Sequence, residues 1–253
     1  MSIILLIAAT IMYVLMMIIN GLANSIPLNG ITTGAVSYKY PNLFQPSGIT
    51  FSIWGVIYGM LLVYLIYQYT LIGKNISIET RQLYDKINLI FALTSILNGA
   101  WLFAWHYDQM IISTFIIALL LISLIMLTRL SVSLDHITKS AFSIYLGWIT
   151  IATIANITIA LVKYGMPGFN QSATLLTVLI LFIGLMISIL WVVRYKDFAF
   201  GAVIIWAYLG IVIRHMSKNE LDFKYPLVYI STIICLVIII AVNIWTIIGK
   251  INL

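Results

Sequence analysis

The chain has 253 residues, of which 63% are hydrophobic and 8% charged, with a formal net charge of +6. So few charges cannot cover a water-soluble surface, and apolar runs of bilayer-crossing length recur throughout, which excludes a soluble globular domain. The positive excess is scattered between those runs and forms no stripe, so no nucleic-acid partner is expected and the lipid bilayer is.

A helical crossing needs roughly 20 mostly apolar residues, and the short segments of alternating polarity that mark a membrane β-barrel are missing. The chain is therefore expected to be all-α, a polytopic helical membrane protein. Its eight spans fall at about 3–20, 50–72, 87–105, 110–129, 141–163, 172–193, 198–213 and 226–248. The first has no basic leader segment and reads as a helix of the mature protein. The seventh is the shortest and ends against Arg214. With the N-terminus inside, Lys74, Arg81, Lys86, Arg129, Lys139, Arg194, Lys196 and Lys250 lie on the inner side, against Lys39, Lys163, Arg214, Lys218 and Lys224 outside. That imbalance favours cytoplasmic termini and a cell-membrane location. The single cysteine, Cys235, falls in the last span and cannot form an intramolecular disulfide.

In chain order, residues 21–49 form a long loop with Asn24, Pro27, Asn29, Gly30 and Gly34, but also with Ile26, Leu28, Ile31, Val36, Tyr38, Leu43 and Phe44. That much apolar surface predicts a packed lid at the outer membrane surface, the competing reading being an interfacial spacer. Pro41, Pro46 and Gly48 punctuate the approach to the second span, where Ser47 or Thr50 can cap the first turn. Phe51, Trp54 and Tyr58 then recur at helical spacing, beside a stripe of Gly55 and Gly59 suited to close helix contact.

In the third span Asn98, Trp101 and Trp105 fall within roughly 60° of one another on the helical wheel, and in the fifth Tyr145, Trp148, Ala152 and Asn156 fall within about 80°. Asn98 and Asn156 each lie roughly 10 Å below the outer surface and Trp54 roughly 6 Å below it, so the three can meet beneath the lid. Flat aromatic faces with a few amide and phenol groups suit a flat, largely apolar ligand. The competing reading is an interfacial aromatic belt with amides bonding between helices; Trp105 and Tyr107 fit that belt.

At these positions the chain resembles the TspO/MBR (tryptophan-rich sensory protein, or translocator protein) family. The likeness rests on Phe44-x-Pro46-x-Gly48-x-x-Phe51-x-x-Trp54-x-x-x-Tyr58, on Leu97-Asn98-x-x-Trp101 followed by Phe103, and on Tyr145-x-x-Trp148-x-x-x-Ala152-x-x-x-Asn156. It covers residues 1–163 and implies a five-helix transmembrane bundle with a lid at 21–49. A cavity beneath would be associated with porphyrins, haem and sterol-like molecules, and such proteins are often homodimers. The cavity-lining positions fall on Trp54, Asn98, Trp101, Trp148, Ala152 and Asn156, and the lid positions on Phe44 and Pro46. The approach Gln45-Pro46-Ser47-Gly48-Ile49-Thr50-Phe51 holds fewer tryptophans than the family pattern and one proline in place of two. Residues 164–253 add three further spans, with Trp191, Trp206 and Trp245.

The acidic residues Glu79, Asp85, Asp108, Asp135, Asp197, Glu220 and Asp222 all fall in expected loops, and no Lys or Arg falls mid-span. This argues against an ion-coupled pump and against membrane-embedded acid–base hydrolysis. His106-Tyr107-Asp108 reads as a solvated interfacial loop and not a metal site. The expectation is a sensor or carrier, not an enzyme, that binds a small apolar ligand such as a tetrapyrrole and requires no cofactor. The alternatives are a permease component with an external partner, or a protein that degrades porphyrin through its Trp and Tyr side chains.

Overall fold

The structure, a computed structural model, describes residues 2–26 and 28–251; Pro27, expected in the first loop, lies outside the described residues. Among the described residues the α-helices are α1 (Ile3–Ser25), α2 (Thr33–Tyr38), α3 (Ile53–Thr70), α4 (Ile78–His106), α5 (Met110–Ser131), α6 (His136–Lys163), α7 (Gln171–Tyr195), α8 (Phe198–Met216) and α9 (Pro226–Ile251). All but α2 belong to segments long and apolar enough to cross a membrane, giving the eight spans expected of an integral membrane protein. Helices are what a bilayer permits, because each satisfies its own backbone polar groups where no water can. Their outward residues are lipid-compatible, among them Ile4, Phe115, Leu190 and Val237.

Side-chain caps mark the helix starts. Ser77 Oγ accepts from Thr80 N (3.2 Å) at α4, Asp135 Oδ1 from Thr138 N (2.8 Å) at α6, Asn170 Oδ1 from Ala173 N (2.8 Å) at α7 and Asp197 Oδ1 from Phe200 N (3.2 Å) at α8. The cap at Ser77 starts α4 nine residues before the expected 87, so Glu79 and Asp85 are helical and not in a loop. Helix α1 likewise runs past residue 20 to Ser25. Ser47 and Thr50 make no side-chain cap for α3. A 3-10 turn at Gly48–Ser52 leads in instead, with Thr50 N donating to Ser47 O (3.0 Å).

The chain forms two compact units: Met1–Val36 with Trp54–Ile149, and Ser37–Ile53 with Thr150–Leu253. In the first, α4 packs against α1 and α5. Its interior holds Phe91 and Phe142 edge-on to Tyr64 (5.5 and 4.8 Å between ring centres). The Tyr64 hydroxyl donates to Asn88 Oδ1 (2.9 Å), and the amides of Asn88 and Gln68 bond each other reciprocally at 2.9 Å. The Tyr64, Gln68 and Asn88 side chains thus pair with one another, as a low-dielectric core requires. Gly55 and Gly59 differ from the expected contact stripe: both are exposed, and a Cβ at either would meet nothing within 4 Å.

In the second unit, α7, α8 and α9 pack on one another, and α8 also packs on the 3-10 turn at Gly48–Ser52. The Tyr208 hydroxyl of α8 donates to Leu181 O of α7 (2.7 Å). Gly210 is where α8 meets the turn, and a Cβ there would land on the Thr50 side chain. Gly210→Val is therefore expected to destabilise the protein by about 1–3 kcal/mol. Gly55→Ala, made into open space, should leave stability unchanged or slightly raised; thermal unfolding in detergent measures both.

Candidate functional site

The first unit gathers six of the eleven residues singled out in the sequence: Trp54, Tyr58, Asn98, Trp101, Tyr145 and Trp148. Trp54, half-buried near the start of α3, is the hub. Its ring stacks on Tyr58 at 5.4 Å and on Trp101 at 6.4 Å, and meets Tyr145 and Trp148 edge-on, each at 6.2 Å. Trp101 continues to Trp105 at 5.6 Å. The spacings that put Trp54 and Tyr58 one turn apart, and Trp101 and Trp105 likewise, turn sequence patterns into ring contacts. Offset-stacked and edge-to-face pairs are the favoured geometries for such rings.

A chain of two amides and a phenol joins one of these rings to α1 and α4. Asn20 Nδ2 donates to Asn98 Oδ1 (2.8 Å), and Asn98 Nδ2 donates to the Tyr145 hydroxyl (2.9 Å). This ties α1 to α4 and α4 to α6, all three residues being buried. Asn98 thus bonds between helices, as the competing reading had it, and orients the Tyr145 ring that faces Trp54. Asn20, not singled out in the sequence, completes the chain. Its signal was an amide that closes the largely apolar run of residues 3–19. Tyr13 was also missed; its hydroxyl donates to Tyr58 O (2.9 Å).

Two expectations for the end of α4 are corrected. Trp105 is buried, not a belt residue, and donates Nε1–H to Thr33 O (3.1 Å). His106 is not a solvated loop residue: it ends α4 at 2% exposure and donates Nδ1–H to Leu102 O (2.8 Å). The segment after α1 gives these side chains something to close against, since Asn29 Nδ2 also donates to His106 O (3.1 Å). Tyr107 is exposed, as a belt residue would be. Among the described residues no group of three His, Cys, Asp or Glu side chains could hold a metal ion.

The remaining five, Phe44, Pro46, Phe51, Ala152 and Asn156, belong to the second unit. Phe44, Pro46 and Asn156 are buried, and Phe51 and Ala152 half-buried. Phe44 and Pro46 sit in an irregular strap, residues 41–47, whose turn is made by Asn42. Its Oδ1 accepts from Phe44 N and Gln45 N, both at 3.1 Å. Helix α8 supplies partners for several of the strap's backbone groups. Arg214 Nη1 donates to Asn42 O (2.7 Å) and Gln45 O (3.0 Å), and His215 Nε2 donates to Leu43 O (2.9 Å). Gly210 O accepts from Ser47 N (3.0 Å), and Trp206 Nε1 donates to Thr50 O (2.9 Å).

Arg214, expected outside the seventh span, is instead in the last turn of α8 and buried. Glu220 Oε2 lies 4.0 Å from its Nε, and the Tyr38 ring lies under the guanidinium at 5.8 Å. Burial, and the Glu220 carboxylate, push the Tyr38 hydroxyl above its ordinary value. The spacing of Trp206, Gly210 and Arg214, four residues apart each time, is the signal that could have revealed this clamp.

Two outcomes test these bonds. Asn98→Leu, which removes the bond that links Asn20 to α4 and the amide donor to the Tyr145 hydroxyl, should cost about 1–2 kcal/mol in unfolding experiments, with Tyr145→Phe costing less. Arg214→Ala leaves the Asn42 and Gln45 carbonyls without their donor, and should speed limited proteolysis within residues 39–49 by about tenfold or more.

The family model described as TSPO-like protein matches residues 6–245. The match continues past residue 163, where the motif likeness ends, and takes in the last three spans. Neither a curated protein nor a solved structure matches the chain significantly.

Proposed function

The chain belongs to the TSPO-like family, and we propose that it is a membrane sensor or carrier that binds a flat, largely apolar small molecule, of the porphyrin, haem or sterol class, on the aromatic cluster around Trp54. The observation that supports this reading is one indole meeting four other rings, two stacked and two edge-on, with the Asn98 amide fixing one of them. Such a cluster offers π faces and one oriented phenol, the polar-on-apolar mixture that a small-molecule site uses for grip and orientation. The rings rest on each other, so a flat ligand enters by replacing a ring–ring contact with a ring–ligand contact of similar geometry. The stacked pairs Trp54–Tyr58 and Trp54–Trp101 are the places for it. The same proposal has the protein in the cell membrane with both termini cytoplasmic, a reading supported by the eight-to-five division of Lys and Arg.

Titration of the purified protein with protoporphyrin or haemin is expected to quench tryptophan fluorescence saturably. Trp54→Ala should weaken binding by about tenfold or more, since it removes all the ring contacts at once. Trp245→Phe, at an exposed site on α9, is the control and should bind normally. Quenching that never saturates, or that Trp54→Ala leaves intact, rejects the site.

A further inference from the structure

At the end of the first unit where α1 begins, α3 ends and α4 begins, a cleft of about 240 Å³ is lined by Ile3, Leu71, Ile72, Lys74, Ile76 and Arg81, with Gly73 in its wall. We propose that this cleft binds a phosphate group, as carried by an anionic membrane lipid headgroup or as the free anion.

The charge layout of the unit supplies the first argument. All five of its Lys and Arg residues, Lys74, Arg81, Lys86, Arg129 and Lys139, lie at this end, where α3 and α5 finish and α4 and α6 start. The acidic residues here are Glu79, Asp85 and Asp135, and none of them lines the cleft. Asp85 Oδ1 accepts from Ser2 N (2.6 Å), while Asp135 accepts from the Tyr84 hydroxyl (2.7 Å) and caps α6.

The second argument is preorganisation. Gly73 turns the chain at φ +80°, a left-handed conformation suited to glycine. The turn is held by Arg81, whose Nε donates to Ile76 O and whose Nη2 donates to Lys74 O, both at 3.3 Å. The guanidinium is thereby fixed in place with its Nη1 still available, and a guanidinium is the side chain best matched to phosphate oxygens. Lys74 adds an exposed ammonium on the same wall. The third argument is amphipathicity: Ile3 is 50% and Ile72 42% exposed beside these cations. Basic groups above an apolar rim at a span end are the chemistry that holds an acidic lipid by headgroup and chain together. This inference does not depend on the aromatic site.

The test is lipid retention. The protein is reconstituted in nanodiscs of phosphatidylcholine with a minority of phosphatidylglycerol, extracted in mild detergent, and its retained lipids are counted by native mass spectrometry. Phosphatidylglycerol should be enriched over its share in the disc. Lys74→Gln should lower that enrichment by about fivefold, and Lys74→Gln with Arg81→Gln by about tenfold or more. Arg129→Gln with Lys139→Gln, at the same end but outside the cleft, should leave it intact. Because Arg81 also holds the turn, Lys74→Gln alone carries the test if the double variant folds poorly. Binding of millimolar inorganic phosphate that displaces the lipid and is lost in Lys74→Gln identifies the free anion as a ligand of the same cleft. Absence of both enrichment and phosphate binding overturns the proposal, as does an equal loss in the Arg129→Gln, Lys139→Gln control.

Discussion

A buried carbonyl without a donor costs roughly 1–3 kcal/mol, and the strap at residues 41–47 buries several outside any helix or sheet. The second unit is arranged to meet that demand. Helix α8 brings an indole, a bare backbone approach, a guanidinium and an imidazole along one edge, and each takes a place along the strap or the turn after it. A buried arginine is otherwise an expensive residue beside a membrane. Here one nitrogen answers two carbonyls, while the Tyr38 ring and Glu220 lie close enough to offset its charge. Position 210 is glycine where the Thr50 side chain of the following turn takes the space that a Cβ would need.

The first unit follows a different logic. Its helices satisfy most of their own backbones, and some of its polar side chains bond one another. The chain from Asn20 through Asn98 to Tyr145 fixes a ring, and the rings around Trp54 then fix one another. Both hydrogen bonds of this chain run between helices, which suits an environment where apolar surface alone gives helices little reason to associate. The resulting cluster is aromatic, its rings held both stacked and edge-on.

The eight spans were legible because lipid imposes one requirement, an apolar stretch of sufficient length, and this chain meets it eight times. The ring cluster was legible because helical spacing carries side chains to one face, as Trp54 with Tyr58 and Trp101 with Trp105 illustrate. Hydropathy was blind to helix ends. Glu79, Arg81, Asp85 and Lys86 look like loop, yet the Ser77 cap makes them the first turns of α4. His106 and Arg214 looked solvated because their type is polar; their partners are backbone carbonyls, which leave no mark in a sequence. The glycines of α3 misled in the opposite direction, since a small-residue stripe says that a neighbour could approach and not that one does. The motif likeness stopped at residue 163 because its recognisable positions do, while the family match continues through the last three spans.

The clamp on the strap also sets an order of events. Arg214 and Asn42 are separated by 172 positions in the chain. At a synthesis rate of about 5–20 residues per second, the strap leaves the ribosome on the order of 10–30 s before its donors exist. During that interval its carbonyls must be hydrated or held by the insertion machinery, and the contact cannot assist the early steps of folding. Closure of the strap is therefore a late, long-range event whose loop entropy is met only once α8 is in place. A chain truncated before α8 would keep its first helices and lose this junction, which makes the last third of the protein a condition for finishing a segment encoded near its start.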